Sequence, residues 1–256
     1  MASFDSLAMR MAKKTLMRRL VMSQSLLRQG RHSELSVLVS ADGDVSPNDF
    51  LFDQSLLAIQ NARETNLEDL TSRNKHLPDA VYYDIFPGEH YRLLHALARN
   101  LGKRNIVEIG TYTGMGSASL EHGMPESCKL TTFDIIPWGE FRTHLDERSF
   151  AEGRVVQFLE DISDPKMFDK HLDLLNQSEI IFCDAPKDGV FEPKFLSNLT
   201  RIKPTSSCLL ILDDIRLLNM VGVWRAIRSP KLDMTSFGHW SGTGLVDVSN
   251  GFQFEG

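Results

Sequence analysis

The stretch NIVEIGTYTGMG, residues 105–116, ends a short apolar run with three closely spaced glycines. The run Asn105–Ile109 has the composition of a buried strand. At the end of such a strand in a doubly wound sheet, glycines let backbone approach a ligand that a Cβ atom would exclude. We therefore expect Gly110, Gly114 and Gly116 to lie at a ligand site.

Four further strand-like runs follow, separated by stretches long enough for helices. They are Leu130–Ile135, Val155–Leu159, Ile180–Asp184 and Leu209–Asp213. A helix predicted from the apolar spacing after Tyr91 precedes the first strand and ends at Gly102. Repeated alternation of strand and helix predicts a mostly parallel sheet covered on both faces, which is a doubly wound, Rossmann-like α/β fold.

The C-terminal region has a different pattern. The runs LDMTSFGHW (232–240) and GLVDVS (244–249) are both strand-like, and only three residues separate them. That gap is too short for a crossover helix, so the two runs should pair as an antiparallel hairpin at the edge of the sheet.

Residues 1–80 show helical patterning broken by polar segments, and we interpret them as a helical N-terminal extension of a domain spanning 81–256. The segment Met9–Arg31 carries many lysines and arginines and no acid. It is compatible with a membrane-surface helix, a transit peptide or a basic arm. It is equally compatible with a helix docked on its own domain or on a second subunit, which would make a homodimer through the N-terminal helices.

Composition limits the partners. The net charge of −6 over 256 residues provides no field that would attract nucleic acid. No apolar stretch approaches the ~20 residues that span a bilayer, so no transmembrane segment is expected. Three cysteines, far apart in sequence, are typical of buried thiols in a reducing compartment, and we predict a cytoplasmic location. The cysteines are Cys128, Cys183 and Cys208.

The glycine spacing G-x-x-x-G-x-G differs from the patterns of dinucleotide-binding and phosphate-binding loops, and no lysine follows it. A polyphosphate ligand is therefore disfavoured. Asp134 closes the second strand about 20 residues later, where a carboxylate can accept the hydroxyls of a ribose. The glycines and this acid together indicate a ligand with a nucleoside and without phosphates.

These residues resemble the motifs of a known family. VEIGTYTGMGS (107–117), Asp134 and IIFCDAPKDG (180–189) are similar to the motifs of class I S-adenosylmethionine-dependent methyltransferases, and in particular to small-molecule O-methyltransferases of the caffeoyl-coenzyme A and catechol type. The resemblance extends from about Pro87 to Ser249. It implies a seven-stranded sheet whose last strand is antiparallel, and S-adenosylmethionine as cofactor.

The resemblance places Asp134 on the ribose and Asp161 near the adenine edge. From the residues alone, an acid after a strand is common, and Asp164 nearby could cap the following helix instead. The cofactor-binding residues expected in this way are Glu108, Gly110, Thr111, Gly114, Gly116, Asp134 and Asp161.

Three acids, Asp184, Asp213 and Asp214, emerge from the carboxyl ends of strands that should be neighbours. Clustered carboxylates repel one another, and a divalent cation with oxygen ligands, or protonation of one member, relieves the repulsion. The catechol and caffeoyl-coenzyme A families place a metal at matching positions but have Asp-Asn at the second site. The Asp-Asp pair looks more like the metal-dependent sugar O-methyltransferases. The alternative is that one acid caps a helix beginning near Leu217.

Lys187 follows Asp184 by three residues, as does the catalytic base in the D-x-x-K pattern of the catechol enzyme. A nearby cation would lower its pKa enough for it to accept a proton. The alternative is a solvated loop lysine. Asp184 and Lys187 are accordingly the predicted catalytic residues, with Mg²⁺ the expected ion at the three acids.

Trp138, His239 and Trp240 could form an aromatic wall for the acceptor. The alternatives are core packing for the tryptophans and a lone surface histidine for His239. A lid over the cofactor could come from the region before the first helix of the domain, from Tyr82, Tyr83 and His90.

The sequence predicts an enzyme, an S-adenosylmethionine-dependent O-methyltransferase that acts on a small hydroxylated molecule with help from a divalent metal. The alternatives are an N-methyltransferase, a metal-independent methyltransferase, and a nucleoside-binding module without turnover. A hydrolase is disfavoured because no Ser-His-Asp elbow is present. The acceptor is not identified by the sequence, since one fold serves many acceptors.

Overall fold

The computed structural model of the chain describes residues 45–256. The basic segment Met9–Arg31 and the proposed dimer contact through the N-terminal helices lie outside the described residues. The domain boundary predicted at residue 80 stays a prediction.

The described residues form a seven-stranded sheet in the order β3-β2-β1-β4-β5-β7-β6. Strands β1 to β5 are parallel, and β7 is antiparallel to both β5 and β6. This confirms the predicted doubly wound sheet with an antiparallel last strand. The strands are β1 (Asn105–Ile109), β2 (Lys129–Asp134), β3 (Val155–Leu159), β4 (Ile180–Cys183), β5 (Leu209–Asp213), β6 (Lys231–Asp233) and β7 (Thr243–Asp247).

Helices connect the strands. They are α1 (Asp49–Glu64), α2 (Glu68–Arg73), α3 (Tyr91–Leu101), α4 (Met115–Gly123), α5 (Glu147–Ala151), α6 (Pro165–Lys170), α7 (Leu172–Asn176), α8 (Phe191–Leu199) and α9 (Met220–Ala226), with 3₁₀ helices at Pro78–Asp84 and Trp138–Glu140. The predicted helix after Tyr91 is confirmed as α3, and it ends where Gly102 N–H donates to the carbonyl of Ala98.

Both faces of the sheet are buried. Successive residues of a strand point to opposite faces. In β1, Ile106 belongs to the same buried cluster as Leu94 of α3, whereas Val107 belongs to a second cluster that contains Phe195 of α8. The central strands β4 and β5 are consequently apolar, apart from Asp213 at the end of β5. In sheets of this kind, ligands bind beyond the carboxyl ends of the parallel strands.

The predicted C-terminal hairpin is present, but its first strand is shorter than expected. Strand β6 ends at Asp233, whose Oδ1 accepts the N–H of Thr235 at 2.9 Å. The carbonyl of Met234 then accepts two N–H groups, from Phe237 and Gly238. This turn makes the strand predicted over 232–240 wrong beyond Asp233, because the backbone is already bonded to itself. The connection 234–242 instead approaches the end of β5.

Two further expectations can be checked on residues 45–256. The three cysteines are buried free thiols, as predicted. Within this part of the chain, no helix combines the length and the apolar character that crossing a membrane requires.

Candidate functional site

The loop after β1 passes very close to the loop after β4. Gly110 has a φ of +94°, and a Cβ atom on it would lie 2.0 Å from the backbone oxygen of Asp184. The space that the missing side chain leaves is thus filled by protein, and the contact of Gly110 with a ligand stays a prediction. Gly110 still lines the cavity described below, through its backbone.

The other two glycines also make room for protein atoms. A Cβ on Gly114, whose φ is +79°, would lie 2.5 Å from the side chain of Leu145. A Cβ on Gly116 would lie 2.7 Å from the carboxylate of Glu108. The glycine motif is therefore explained by how tightly this loop and α4 pack, and their part in cofactor binding stays a prediction.

Glu108 is buried beneath the glycine loop, and Ser117 Oγ donates a hydrogen bond to its carboxyl group. Burial raises its pKa to about 8, although the bond from Ser117 works in the opposite direction. Glu108 also lines a small cavity of about 190 Å³ beside Tyr91 and Met115. At neutral pH it is therefore mostly an uncharged acid at the floor of the site.

A larger cavity of about 540 Å³ opens at the carboxyl ends of β1, β2 and β4. Its walls are mainly apolar, and five acidic residues interrupt them, two of which are Glu160 and Asp188. A space of this kind suits a flat heterocycle attached to a hydroxylated sugar. The apolar residues of the wall include Ile135, Ile136, Ile162, Val190 and Phe191, and the acids that could hold a sugar or the reacting group are Asp134, Asp161 and Asp184.

Asp134 fixes the loop that the glycines form. Its Oδ2 accepts the N–H groups of Thr111 and Tyr112 at 3.0 and 2.9 Å, and its Oδ1 accepts the N–H of Ile136 at 3.0 Å. Each carboxylate oxygen has further acceptor capacity, so Asp134 can also bind the hydroxyls of a ribose. The hydroxyl of Thr111 is hydrogen-bonded to that of Thr132, 2.7 Å away.

The choice between Asp161 and Asp164 is also decided by position. Asp164 Oδ1 accepts the N–H of Lys166 at 2.8 Å and caps α6. Asp161 Oδ1 accepts the N–H of Ser163, and its residue lines the large cavity. Asp161 is therefore available to a ligand, as the resemblance implies.

The three predicted acids do come together, and the side chain of Lys187 lies between them. Its Nζ contacts Asp184 Oδ1, lies 3.1 Å from Asp214 Oδ2 and lies 3.8 Å from Asp213 Oδ2. The helix-capping alternative is excluded for this pair of aspartates, because α9 begins at Met220 with Asn219 before it. The cluster is thus a group of three carboxylates around one ammonium.

The charges of this cluster stabilise one another. Burial lowers the pKa of Lys187, but Asp184, Asp213 and Asp214 outweigh it and hold that pKa above its ordinary value. Burial raises the pKa of Asp184, and repulsion from Asp213 adds to this. The side chain of Asp184 keeps 40% of its surface open to the cavity, whereas that of Lys187 is only 10% exposed. Asp184 is consequently the member of the cluster that a ligand meets first.

Two residues of the cluster have left-handed backbone. The φ of Lys187 is +55° and that of Asp214 is +59°. Residues other than glycine adopt left-handed backbone conformations at a cost of about 1–3 kcal/mol each, and such residues concentrate at functional sites. The amide of Lys187 is held by the buried carboxylate of Glu192, at 2.7 Å. Both residues thus keep an unfavourable backbone conformation that brings their side chains together.

The opposite oxygen of Asp213 faces two imidazoles. Asp213 Oδ1 lies 3.2 Å from His90 Nδ1 and 3.3 Å from His239 Nδ1. The other ring nitrogen of His239, Nε2, lies 3.5 Å from Glu89 Oε2. Histidines 90 and 239 are brought together because residue 88 and residue 239 form an isolated backbone bridge.

These neighbours shift the pKa values of the buried groups strongly. Burial acts to raise the pKa of Asp213, but the imidazoles of His90 and His239 and the ammonium of Lys187 lower it well below its usual range. Burial acts to lower the pKa of His239, but Asp213 and Asp214 raise it to about 10. Asp213 is therefore ionised and is the anionic centre of the whole arrangement.

Sequence reasoning missed Glu89 and Ser241, and it considered His90 only for a lid. Ser241 Oγ donates to Asp214 Oδ1 and lies 2.9 Å from His239 Nδ1. The only signal in the sequence was the polar triplet Gly-Glu-His directly before α3. Nothing in the sequence pairs that triplet with the C-terminal connection, since the two are about 150 residues apart.

The three aromatic residues expected to line the acceptor site have different neighbours in the structure. Trp138 stacks on Phe150 with the ring centroids 4.6 Å apart, in a cluster that includes Leu145. Trp240 contacts the ring of His239 and is 70% exposed. Trp138 therefore packs in the way that the core-packing alternative describes, and a substrate role for His239 and Trp240 stays a prediction.

No protein-family model and no curated protein matches the chain. Among solved structures it is similar to the O-methyltransferase from Bacillus cereus in complex with SAH, at 19% identity over 71% of this chain and 89% of that chain, with a TM-score of 0.47. A methyltransferase from Geobacter sulfurreducens is 16% identical over 75% and 92%, with a TM-score of 0.49. The SAH-bound Podospora anserina methyltransferase PaMTH1 is 16% identical over 84% and 100%, with a TM-score of 0.48.

Identities and scores this low leave the fold to be judged from the chain's own sheet. That sheet has seven strands, five of them parallel and consecutive in chain order, and its last strand is inserted antiparallel beside β5. This is the seven-stranded sheet with an antiparallel last strand that the resemblance to class I methyltransferases implies. The acid cluster lies at the carboxyl ends of the neighbouring strands β4 and β5.

Proposed function

We propose that the protein is an S-adenosylmethionine-dependent methyltransferase that acts on a hydroxyl group of a small molecule. The observation that carries the proposal is the position of Asp184. This residue lines the cavity of about 540 Å³ and also belongs to the cluster around Lys187. A ligand in the cavity would therefore present one end to a carboxylate and an ammonium.

The cavity fits the cofactor. Asp134, at the end of β2, has acceptor capacity left for ribose hydroxyls, and the apolar residues Ile135 and Ile136 beside it provide a surface for an adenine ring. When bound, S-adenosylmethionine supplies an activated methyl group, so the protein needs only to align an acceptor oxygen and help to remove its proton.

Asp184 and Lys187 are suited to that second task in the arrangement observed. The raised pKa and open face of Asp184 make it a carboxylate able to accept the proton of a hydroxyl. The ammonium of Lys187 next to it stabilises the negative charge that develops on the acceptor oxygen. A role for Lys187 itself as the base is disfavoured here, because its three carboxylate neighbours keep it protonated.

Divalent metal assistance belongs to the same proposal. Asp184, Asp213 and Asp214 offer oxygen atoms within 4.8 Å of one another, a donor set that Mg²⁺ prefers. Bound there, the ion would lower the pKa of a coordinated hydroxyl. Lys187 holds the centre of these acids in the structure, so the ion and the ammonium compete for one position.

A metal-independent methyltransferase is the second candidate, and one observation favours it. The ammonium of Lys187 already neutralises the acid cluster, so the need for an ion that clustered acids usually create is reduced. A nitrogen acceptor and a nucleoside-binding module without turnover are further alternatives. A cytoplasmic location and a homodimer stay predictions.

The proposal is tested by calorimetric titration of the full-length protein with S-adenosylmethionine, with and without Mg²⁺. We expect wild type to bind and Asp134→Ala to bind at least tenfold more weakly, because it loses the contacts to the ribose. Asp173→Ala, which changes an exposed acid on α7, is the matched control and should bind as wild type does.

Asp134 also holds the loop at Thr111 and Tyr112, so a melting curve must show that the variant is folded. If wild type does not bind the cofactor under any of these conditions, the methyltransferase proposal is rejected. If it binds, transfer of labelled methyl groups to catechols and to sugars, with Asp184→Asn as the inactive comparison, tests the acceptor class.

A further inference from the structure

The carboxylate of Asp213 is shared between two different environments. Its Oδ2 lies 3.8 Å from the ammonium of Lys187, in the acid cluster. Its Oδ1 lies 3.2 and 3.3 Å from the Nδ1 atoms of His90 and His239. The acid side already holds a positive group, whereas the imidazole side presents a carboxylate oxygen and two ring nitrogens to one another.

The atoms on the imidazole side are buried and incompletely satisfied. The side chains of His90 and Asp213 are only 3% and 4% exposed. Among the described residues, His90 Nδ1 and Asp213 Oδ1 have no hydrogen-bond partner, although they lie 3.2 Å apart. Buried polar atoms are nearly always bonded. A ring nitrogen and a carboxylate oxygen that lie side by side without hydrogen-bond geometry have the separation that two ligands of one ion would have.

The separations fit metal coordination. Nitrogen and oxygen ligands lie about 2.0–2.2 Å from a zinc ion, so neighbouring ligands of a tetrahedral site are about 3.3 Å apart. The two measured separations from Asp213 Oδ1 are 3.2 and 3.3 Å. One ligand atom from each of His90, Asp213 and His239 lies within 4.8 Å of the others.

Glu89 adds an independent feature. Histidines that bind a metal through one ring nitrogen usually donate the other N–H to a carboxylate, which fixes the tautomer and the orientation of the ring. His239 faces Asp213 with Nδ1 and Glu89 with Nε2, which lies 3.5 Å from Glu89 Oε2. The residue next to one imidazole in sequence thus faces the other one in space.

We propose that His90, Asp213 and His239 form a binding site for a divalent transition-metal ion such as Zn²⁺ or Co²⁺, with Glu89 as the carboxylate that orients His239. Two imidazoles favour these ions over Mg²⁺, which prefers oxygen ligands alone. The site is distinct in its donors from the acid cluster, although the two share Asp213. It does not depend on the methyltransferase proposal.

The test uses the full-length protein after treatment with a chelator. Zn²⁺ is titrated by calorimetry, and Co²⁺ by the visible absorption that reports coordination geometry. We expect one ion per chain, with His90→Gln and His239→Gln each weakening binding more than tenfold. Glu89→Gln should weaken it by roughly 10–100-fold, as loss of such an outer carboxylate does. His122→Gln, which removes a histidine paired with Asp69 elsewhere, is the matched control and should bind as wild type does.

A measurement on wild type alone guards against misfolded variants. Cu²⁺ bound at this site should show nitrogen hyperfine coupling from two imidazoles in its electron paramagnetic resonance spectrum. Coupling to no nitrogen, or binding that Asp184→Asn abolishes and His239→Gln leaves unchanged, would place the ion in the acid cluster and overturn the proposal. Absence of Zn²⁺ and Co²⁺ binding to wild type overturns it as well. Cofactor titration is separate, so failure of either proposal is recognised independently.

Discussion

The ammonium of Lys187 lies 3.1 Å from Asp214 Oδ2 and also contacts Asp184 Oδ1, so a lysine occupies the centre of three carboxylates at the ends of β4 and β5. The ammonium therefore reduces the repulsion among the three carboxylates without an external ion. An external cation has to displace this side chain, and the balance between the two determines whether the protein depends on a metal.

Replacing Lys187 by methionine should destabilise the protein, because it leaves the carboxylates of Asp184 and Asp214 without their closest positive charge. Breaking a buried ion pair from one side costs about 3–5 kcal/mol. Urea unfolding measures the change, and added Mg²⁺ should restore part of the loss in this variant and have a smaller effect on wild type.

The control for that experiment is Lys203→Met, which changes an exposed lysine and should alter the free energy of unfolding by less than about 0.5 kcal/mol. Equal stability of Lys187→Met and wild type without divalent ions would show that the ammonium does not neutralise the acids.

Replacing Gly110 by alanine should be severely destabilising. The new Cβ would lie 2.0 Å from the carbonyl oxygen of Asp184, and the backbone φ of +94° is strained for any other residue. Overpacking and backbone strain together should cost about 3–5 kcal/mol. Gly139→Ala is the matched control, since no atom lies within 4 Å of its new Cβ. Chemical denaturation of both variants checks this, and similar midpoints for the two would contradict the close approach.

Replacing Glu108 by glutamine should change how stability depends on pH. The carboxyl pKa is about 8 in the folded protein and 4.5 as its reference value. Between these values the unfolded chain ionises and the folded protein does not, so wild type loses stability as the pH rises from 4.5 to 8.

The variant lacks this loss, so at pH 8 its free energy of unfolding should improve relative to that of wild type by an amount on the order of 3–5 kcal/mol. Glutamine can still accept the hydrogen bond that Ser117 donates. Melting temperatures of both proteins at several pH values measure the difference, and parallel curves across this window would show that Glu108 is ionised in the folded state.

Replacing His95 by glutamine should change the stability of the protein at low pH. Burial, with His122 next in effect, lowers the pKa of His95 from 6.5 to about 4. As the pH falls from 6.5 to 4, the unfolded chain takes up a proton that the folded protein does not, so wild type loses up to roughly 3 kcal/mol. The variant should therefore unfold at a lower pH than wild type does. Circular dichroism during acid titration of both proteins measures this difference. An unchanged acid transition would show that His95 is protonated in the native protein.

Much of the scaffold could be predicted from the sequence because its signals are local. The apolar runs at Asn105–Ile109, Val155–Leu159 and Leu209–Asp213 coincide with β1, β3 and β5, and two other strands end one residue before the predicted positions. Strands buried on both faces leave a continuous apolar signature. The first strand of the hairpin was predicted too long, because the turn after Asp233 depends on a side-chain bond that the apolar pattern does not reveal.

The convergence of Asp184, Asp213 and Asp214 could also be predicted, since the carboxyl ends of neighbouring parallel strands meet at one edge. The protonation states of the acids and of Lys187 could not be predicted in this way. The pKa of Lys187 depends on how closely three carboxylates surround it, and only their positions in space decide that.

The sequence by itself determined the strand-helix alternation, the antiparallel last strand and the acids at the strand ends, because each of these follows from the composition of short segments. The tertiary structure alone decided that Lys187 lies among the acids, that the spaces beside the glycines are filled by protein, and that His90 and His239 face the same oxygen of Asp213. Those relationships join residues up to about 150 positions apart, and charge, burial and distance act through space and not along the chain.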